Sequence, residues 1–389
     1  LLDMLRRVGT MREEAAQRGA SHAAIRARLN RTEQEFPLAQ LFSRCGLDDF
    51  QRDCVILAYA GALDQKYEKL FAYLQDDITR KAPSPALAVQ LFLPPDATLE
   101  AYLSRFSRRD TFTGLFDRER LAAGQLVLHP IVLEYLSTGT VAPMPGLRLF
   151  DGAAERPGGP LVIGKETARR LELLYREPGQ RVICLTGVPG SGKRFQVEHL
   201  MARTGERCVF LSLDCDSPEE RAREGILTAR LTGACLCCGH MEGQDADGRP
   251  LPAEGKLLQA ILALEPAHEK VFFLSRLPIR ARLDRLTVEL ELPDTTEDER
   301  IALFRAFLGD TPLGDGLTVE ELASKFRFSP RQVELACRQA VGLIRLDGLP
   351  AIPSRQMHQC CYRQVVHKLG DLATPVRPAF QWDDVVMPP

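Results

Sequence analysis

The sequence predicts a doubly wound α/β domain with a largely parallel sheet, preceded by a mainly helical domain and followed by a small helical bundle. Three observations carry this expectation. Apolar runs of strand length recur at Val182–Leu185, Cys208–Leu213, Ala234–Cys238, Val271–Leu274 and Leu286–Leu292, with helical stretches between them. That alternation is the signature of a parallel sheet. The first run leads into Gly187-Val188-Pro189-Gly190-Ser191-Gly192-Lys193-Arg194 and then a helical stretch from Phe195 to Arg203. Before residue 138, apolar residues recur at three- and four-residue spacing instead.

In the N-terminal part, Phe36-Pro-Leu38, Leu41-Phe42, Phe50 and Val55-Ile-Leu57 give helical periodicity broken by Gly46. Leu63, Tyr67, Leu70, Phe71 and Leu74 continue it. Pro83-Ser84-Pro85 supplies a break and a cap before a helix bearing Leu87, Leu91 and Phe92. Gln125-Leu-Val-Leu-His129 is short and β-like, a strand or wing beside the helices. Gly and Pro crowd residues 139–164, including Glu155-Arg-Pro-Gly-Gly-Pro160, which reads as an interdomain linker. The expected domains are 1–138, a helical partner-binding domain; 139–160, linker; 161–294, the α/β core; 295–369, a helical lid; and 370–389, a lead-in to a further module.

The chain has 389 residues, 45% hydrophobic and 26% charged, with a net charge of −2. These are values of an ordinary globular protein, with no global field toward nucleic acid or membrane. No apolar run is long enough to span a bilayer, and Leu1-Leu-Asp-Met-Leu-Arg-Arg lacks a signal-peptide core. The 11 cysteines therefore read as reduced thiols of a cytoplasmic protein. Cys235-Leu-Cys237-Cys238-Gly-His240 has the look of a metal cluster, but a strand would send Cys237 and Cys238 to opposite faces. Buried strand thiols are the expectation there, and for Cys360-Cys361 near His358 and His367.

The glycine-rich passage has the G-x-x-x-x-G-K spacing of a phosphate-binding loop in its proper strand–turn–helix context. The glycines let backbone N–H groups converge on phosphates, the following helix adds its positive end, and Lys193 would reach the β- and γ-phosphates. Residues Gly187 to Arg194 are thus the expected ATP/ADP site. Position 194 usually holds Ser or Thr, whose hydroxyl helps to hold Mg²⁺; here it is Arg. The strand Ala234–Cys238 ends in Gly239-His240, with no acidic pair to organise Mg²⁺ and polarise water. Asp214 ends a different strand and Glu242 is offset. Two metal-handling features are missing together, which predicts binding without turnover and little use of Mg²⁺. Arg194 is a candidate fixed cation in place of the metal.

With these motifs the chain resembles the AAA+ ATPases over residues 161 to 369. Arg282-Leu-Asp-Arg285 through Glu291-Leu-Pro293 is similar to the passage that carries the family's arginine finger. The resemblance implies Arg282 as a finger reaching a neighbouring subunit, with Arg280 the alternative. Phe328-Ser-Pro-Arg331 through Ala336 looks like the lid helix of the second sensor, implying that role for Arg331, while Ser275 falls at the first-sensor strand end. A solvated or salt-bridged surface is the competing reading of each arginine. Glu297 to Phe304 looks like the start of the lid. Gly46 to Asp77 is similar to the winged-helix-like N-domain of bacterial tandem AAA+ ATPases associated with contractile injection systems. Pro378-Ala-Phe-Gln-Trp382-Asp-Asp-Val-Val-Met resembles the passage leading into such modules, as against a disordered tail. The expectation is a fragment, lacking a Met at position 1, that holds the front part of a tandem, ring-forming, protein-remodelling ATPase. Two alternatives stay open: a nucleic-acid-binding regulator using Arg105-Phe-Ser-Arg108-Arg109, and a nucleotide-free structural module whose Arg194 fills the phosphate position.

Overall fold

A computed structural model describes residues 36–92, 98–107, 110–213, 217–239, 270–276, 278 and 286–366. The chain divides into two compact units, the first Leu1–Ala142 with Arg230–Gly233, the second Pro143–Ala229 with Ala234–Pro389. Among the described residues no helix is long and apolar enough to cross a membrane.

The first unit is a run of short helices: α1 (Pro37–Arg44), α2 (Asp49–Leu63), α3 (Lys66–Leu74), α4 (Pro85–Phe92), α5 (Leu99–Leu103), α6 (Thr111–Gly114), α7 (Arg118–Ala122) and α8 (Pro130–Thr138). Their starts are written locally. Asp48 and Gln51 form a reciprocal capping box on α2. Ser84 Oγ accepts from Leu87 N at 3.2 Å at the head of α4. Phe50, Tyr102, Phe106, Phe112 and Phe116 form a chain of edge-on and tilted rings, a geometry that aromatic quadrupoles favour. Gln125–His129 is not a strand. It forms a narrow wing-like pairing instead: Asp117 N donates to Val127 O at 2.9 Å and His129 N to Leu115 O at 2.9 Å.

The second unit holds the sheet and the lid. The strands are β1 (Leu147–Asp151), β2 (Arg181–Thr186), β3 (Arg207–Ser212), β4 (Cys235–Gly239), β5 (Lys270–Ser275) and β6 (Leu286–Glu291), in the order β1-β3-β4-β5-β2-β6. All pairs are parallel except β1 with β3. Helices α9 (Lys165–Arg176), α10 (Lys193–Thr204) and α11 (Pro218–Thr232) cover the sheet. Strand alternation sorts its side chains between two cores. Val182, Cys184, Leu236 and Cys238 pack on one face with Ile226 of α11. Ile183, Leu185, Cys235 and Cys237 pack on the other with Leu171 of α9 and Leu200 of α10. Cys237 and Cys238 therefore lie on opposite faces. Burial pushes the Cys208 and Cys238 thiols well up and Cys184 to about 12, which keeps them in the unreactive thiol form.

The lid comprises α12 (Glu297–Leu308), α13 (Val319–Lys325), α14 (Pro330–Asp347) and α15 (Ser354–Val366). Phe304, Leu322, Val333, Ala336, Ala340 and Met357 form its core, and Val162 and Ile163 pack against it. Arg300 is buried there, donating to Ala323 O at 2.8 Å and Thr295 O at 2.5 Å, so its charge ties α12 to the neighbouring backbone.

One expectation needs correction. Residues 139–160 are not simply a linker, because they contain β1, paired antiparallel along β3 from Leu147↔Leu211 to Asp151↔Arg207. The Gly and Pro that suggested a linker belong to the turns around this strand. Gly152 is the clearest case: its N–H donates to Glu206 O at 2.9 Å, and an added Cβ would lie 2.1 Å from Met201 O. That neighbour is backbone and cannot move aside. Gly152→Ala is expected to cost about 1–3 kcal/mol through overpacking, read as a lowered midpoint in urea unfolding. A flexible linker would tolerate it with no change.

Candidate functional site

The loop after β2 is shaped by glycines that no other residue replaces cheaply. Gly187, Gly190 and Gly192 have φ of 142°, 79° and 93°, a half of the map closed to ordinary side chains. Space is as restrictive as angle. A Cβ on Gly187 would sit 2.5 Å from Leu292 O, and one on Gly190 would sit 2.8 Å from Arg331 Cβ and 2.9 Å from Ser329 Oγ. The loop is thus pressed between the end of β6 and the first turn of the lid helix α14. Leu292 N donates to Thr186 O at 2.8 Å, and Arg331 N donates to Gly190 O at 3.1 Å. Ser329 caps α14 in a box with Gln332, which brings the positive end of that helix to the loop. Gly192 caps α10 in the left-handed conformation, directing a second helix N-terminus at the same place. This is a cradle for an anionic, phosphate-bearing group, and the residues present fit one.

Lys193 closes the loop on itself. Its Nζ donates to Gly187 O at 2.6 Å, to Val188 O at 3.0 Å and to Ser191 Oγ at 3.4 Å. Arg194 takes another direction. Its Nε donates to Glu198 Oε1 at 3.0 Å, one turn along α10, and its guanidinium lies 4.6 Å from the Phe210 ring centre. Arg148 of β1 reaches the same Glu198 oxygen at 3.3 Å and Glu155 at 3.0 Å. A cation in the first turn of a helix opposes the helix dipole, and Glu198 offsets it. This geometry does not favour Arg194 as a fixed cation beside the phosphates, nor the alternative in which it fills the phosphate position. The cation held inside the loop is Lys193, while Arg194 belongs to a network with β1 and β3.

The sheet order makes β5 the strand beside β2, with Thr186 opposite Ser275. Both hydroxyl-bearing residues are buried at the carboxyl edge next to the loop, where open α/β sheets hold their ligands. β4 lies one strand further out and ends at Gly239. His240 and Glu242 lie outside the described residues, as do Asp214, Arg280, Arg282, Arg108, Arg109, His367 and the segment 370–389. Arg331 sits next to the loop through its backbone, but its guanidinium pairs with Glu334 at 2.8 Å on its own helix. Among the described residues no group of His, Cys, Asp and Glu is arranged to hold a metal ion.

Two contributors were not anticipated. Glu198 was legible as an i,i+4 partner of Arg194 on a helix. Gln196 was not. It is 3% exposed, and its Nε2 donates to Gly164 O at 3.3 Å, joining the loop helix to the segment before α9. Only the fold brings residues 164 and 196 together.

Two family models match the chain. One, a variant winged helix domain, takes residues 5–115. The other, the helical domain of contractile injection system ATPases, takes residues 296–367. The chain is thus similar to a winged helix domain at its N-terminal part and to an ATPase helical domain over its lid. No curated protein matches it. Among solved structures, a chain from "Structural Basis for Katanin Self-Assembly" aligns at 13% identity over 52% of this chain and 82% of its own, with a TM-score of 0.37. The resemblances drawn from Gly46 to Asp77 and from the lid sequence agree with these two matches, which cover the N-domain and the lid.

The helical lid meets the glycine-rich loop at Gly190, and this contact is testable. Gly190→Ala puts a Cβ against Ser329 and Arg331 at a positive φ. It is expected to lower the stability of this unit by about 1–3 kcal/mol and to increase hydrogen exchange at the start of α14. Unchanged exchange there would show that the loop and lid are not in register.

Proposed function

We propose that this chain is a nucleotide-binding, hydrolysis-deficient AAA+ module belonging to a protein-remodelling ATPase of a contractile injection system. ATP or ADP binds at Gly187 to Lys193 and serves structure or regulation. Turnover belongs to a second module that follows this one in the intact protein. The winged-helix domain docks a protein partner, and ring assembly brings Arg282 to a neighbour's site.

One observation carries the reading. The positive-φ glycine cradle is built and capped by two helix N-termini, yet position 194 is turned away onto Glu198 and β4 ends in glycine. These features support a loop that keeps the phosphate-binding half of a P-loop and, among the described residues, lacks the hydroxyl and the acidic pair that handle the metal. The family match over 296–367 supports the injection-system setting.

A second reading is favoured by Lys193 itself, which already satisfies two loop carbonyls; on that reading the loop is a closed structural turn that binds nothing. A nucleic-acid role draws no comparable support, because Arg105 is committed to Asp48 at 2.7 Å and to the Tyr102 ring.

Titration calorimetry with ATP and ADP separates the first two readings. Binding is expected with EDTA present, at an affinity within a few-fold of that with Mg²⁺. Lys193→Ala should weaken it at least about tenfold, or ~1.4 kcal/mol. Arg194→Thr restores the metal-binding hydroxyl and should make binding Mg²⁺-sensitive without creating turnover. No binding under any condition supports the closed turn, and strict Mg²⁺ dependence in the parent chain rejects the metal-independent site.

A further inference from the structure

The lid carries a groove that none of its own side chains fills. It has a volume of about 320 Å³ and runs between the last turn of α12 and the outer face of α14, lined by Phe307, Leu308, Val341, Gly342, Arg338 and Arg345 among others. Phe307 and Val341 are half-buried and form an apolar floor, while Gly342 is exposed. A Cβ on Gly342 would meet nothing within 4 Å. The rim is basic. Arg338 is shared with Glu334 at 2.9 Å, and no carboxylate pairs with Arg345 among the described residues. At one end the chain turns away from α12, with Gly309 N donating to Arg305 O at 3.0 Å and Thr311 N to Leu308 O at 3.1 Å.

An occupant for this groove is aromatic, to cover the apolar floor, and acidic, to meet the basic rim. The chain itself holds such a segment beyond α15: Phe380-Gln381-Trp382-Asp383-Asp384. Reach is ample. The end of α15 lies beside the start of α14, with Gln332 Nε2 donating to Gln364 O at 3.2 Å. From Gln332 to Val341 is ~14 Å along the helix, whereas the stretch from 367 to 379 extends to about 40 Å. Charge is complementary: two adjacent carboxylates against two arginines, in a groove where an indole ring would also meet a guanidinium face.

We propose that Phe380–Asp384 docks on this face of the lid, with Trp382 on the Phe307–Val341 floor and Asp383 and Asp384 toward Arg345 and Arg338. The docked segment covers α12 and α14 and fixes where the chain leaves the lid, so it sets the exit geometry of whatever follows. This holds whether or not the P-loop binds nucleotide.

Trp382 is the single tryptophan of the sequence, so its fluorescence reports the contact without labelling. The full chain is expected to emit to the blue of free tryptophan and to resist acrylamide quenching. Arg345→Glu removes the rim charge, and Gly342→Gln fills the groove at an open helical position. Neither disturbs a packed contact, and unchanged far-ultraviolet circular dichroism verifies that. Each should shift the emission to the red and abolish most of the protection from quenching. Three results would overturn the proposal: a Trp382 quenched like free tryptophan in the parent chain, protected emission that ignores both variants, or protection that disappears on dilution, which would place the segment on a second copy.

Discussion

The constraint on which the second unit turns is the lack of room around Gly187 and Gly190. The backbone of one short loop touches the end of β6 on one side and the head of the lid helix on the other. A side chain at either glycine would force the sheet or the lid away. This crowding places the N-termini of α10 and α14 at the same loop, and their summed dipoles make it a place for negative charge. It also means that any change in the loop is felt by the lid, because Arg331 N is bonded to Gly190 O.

The loop as it stands is internally satisfied. Lys193 occupies its centre and bonds its carbonyls. A phosphate group entering this cradle would replace those carbonyls as the partner of the ammonium, a trade of neutral for charged acceptors that strengthens the hydrogen bonds. Arg194 takes no part in that exchange while Glu198 and Phe210 hold it. Its half-exposed ion pair contributes little stability by itself, but the shared carboxylate links the loop helix to the edge strand β1 through Arg148. The arginine that replaces the usual hydroxyl thus has a structural place of its own.

Much of this was legible in the chain. The five parallel strands followed from apolar runs of strand length, the loop from its glycine spacing, and the opposite-facing Cys237 and Cys238 from strand alternation. The lid start was read at Glu297 to Phe304, and the structure begins that helix with a Thr296–Glu299 capping box. What escaped is also instructive. β1 hides among glycines and prolines because an edge strand needs only one partner, and its residues Arg148 and Asp151 carry charge rather than a continuous apolar run. The sharing of Glu198 with Arg148 was not readable either, since only the pairing of β1 with β3 brings Arg148 to that carboxylate. Gln196 and Gly164 meet through tertiary structure alone.

On the proposed function, nucleotide at the loop would be felt by the lid through the Gly190–Arg331 contact. Hydrogen exchange measured with and without ADP in EDTA tests this most directly. The account predicts slower exchange at Gly187–Lys193 and also at Ser329–Val333, with helices α1 to α4 of the winged-helix unit unchanged. Exchange that slows in the loop but not at the head of α14 would contradict the coupling. Exchange that changes nowhere would contradict the site.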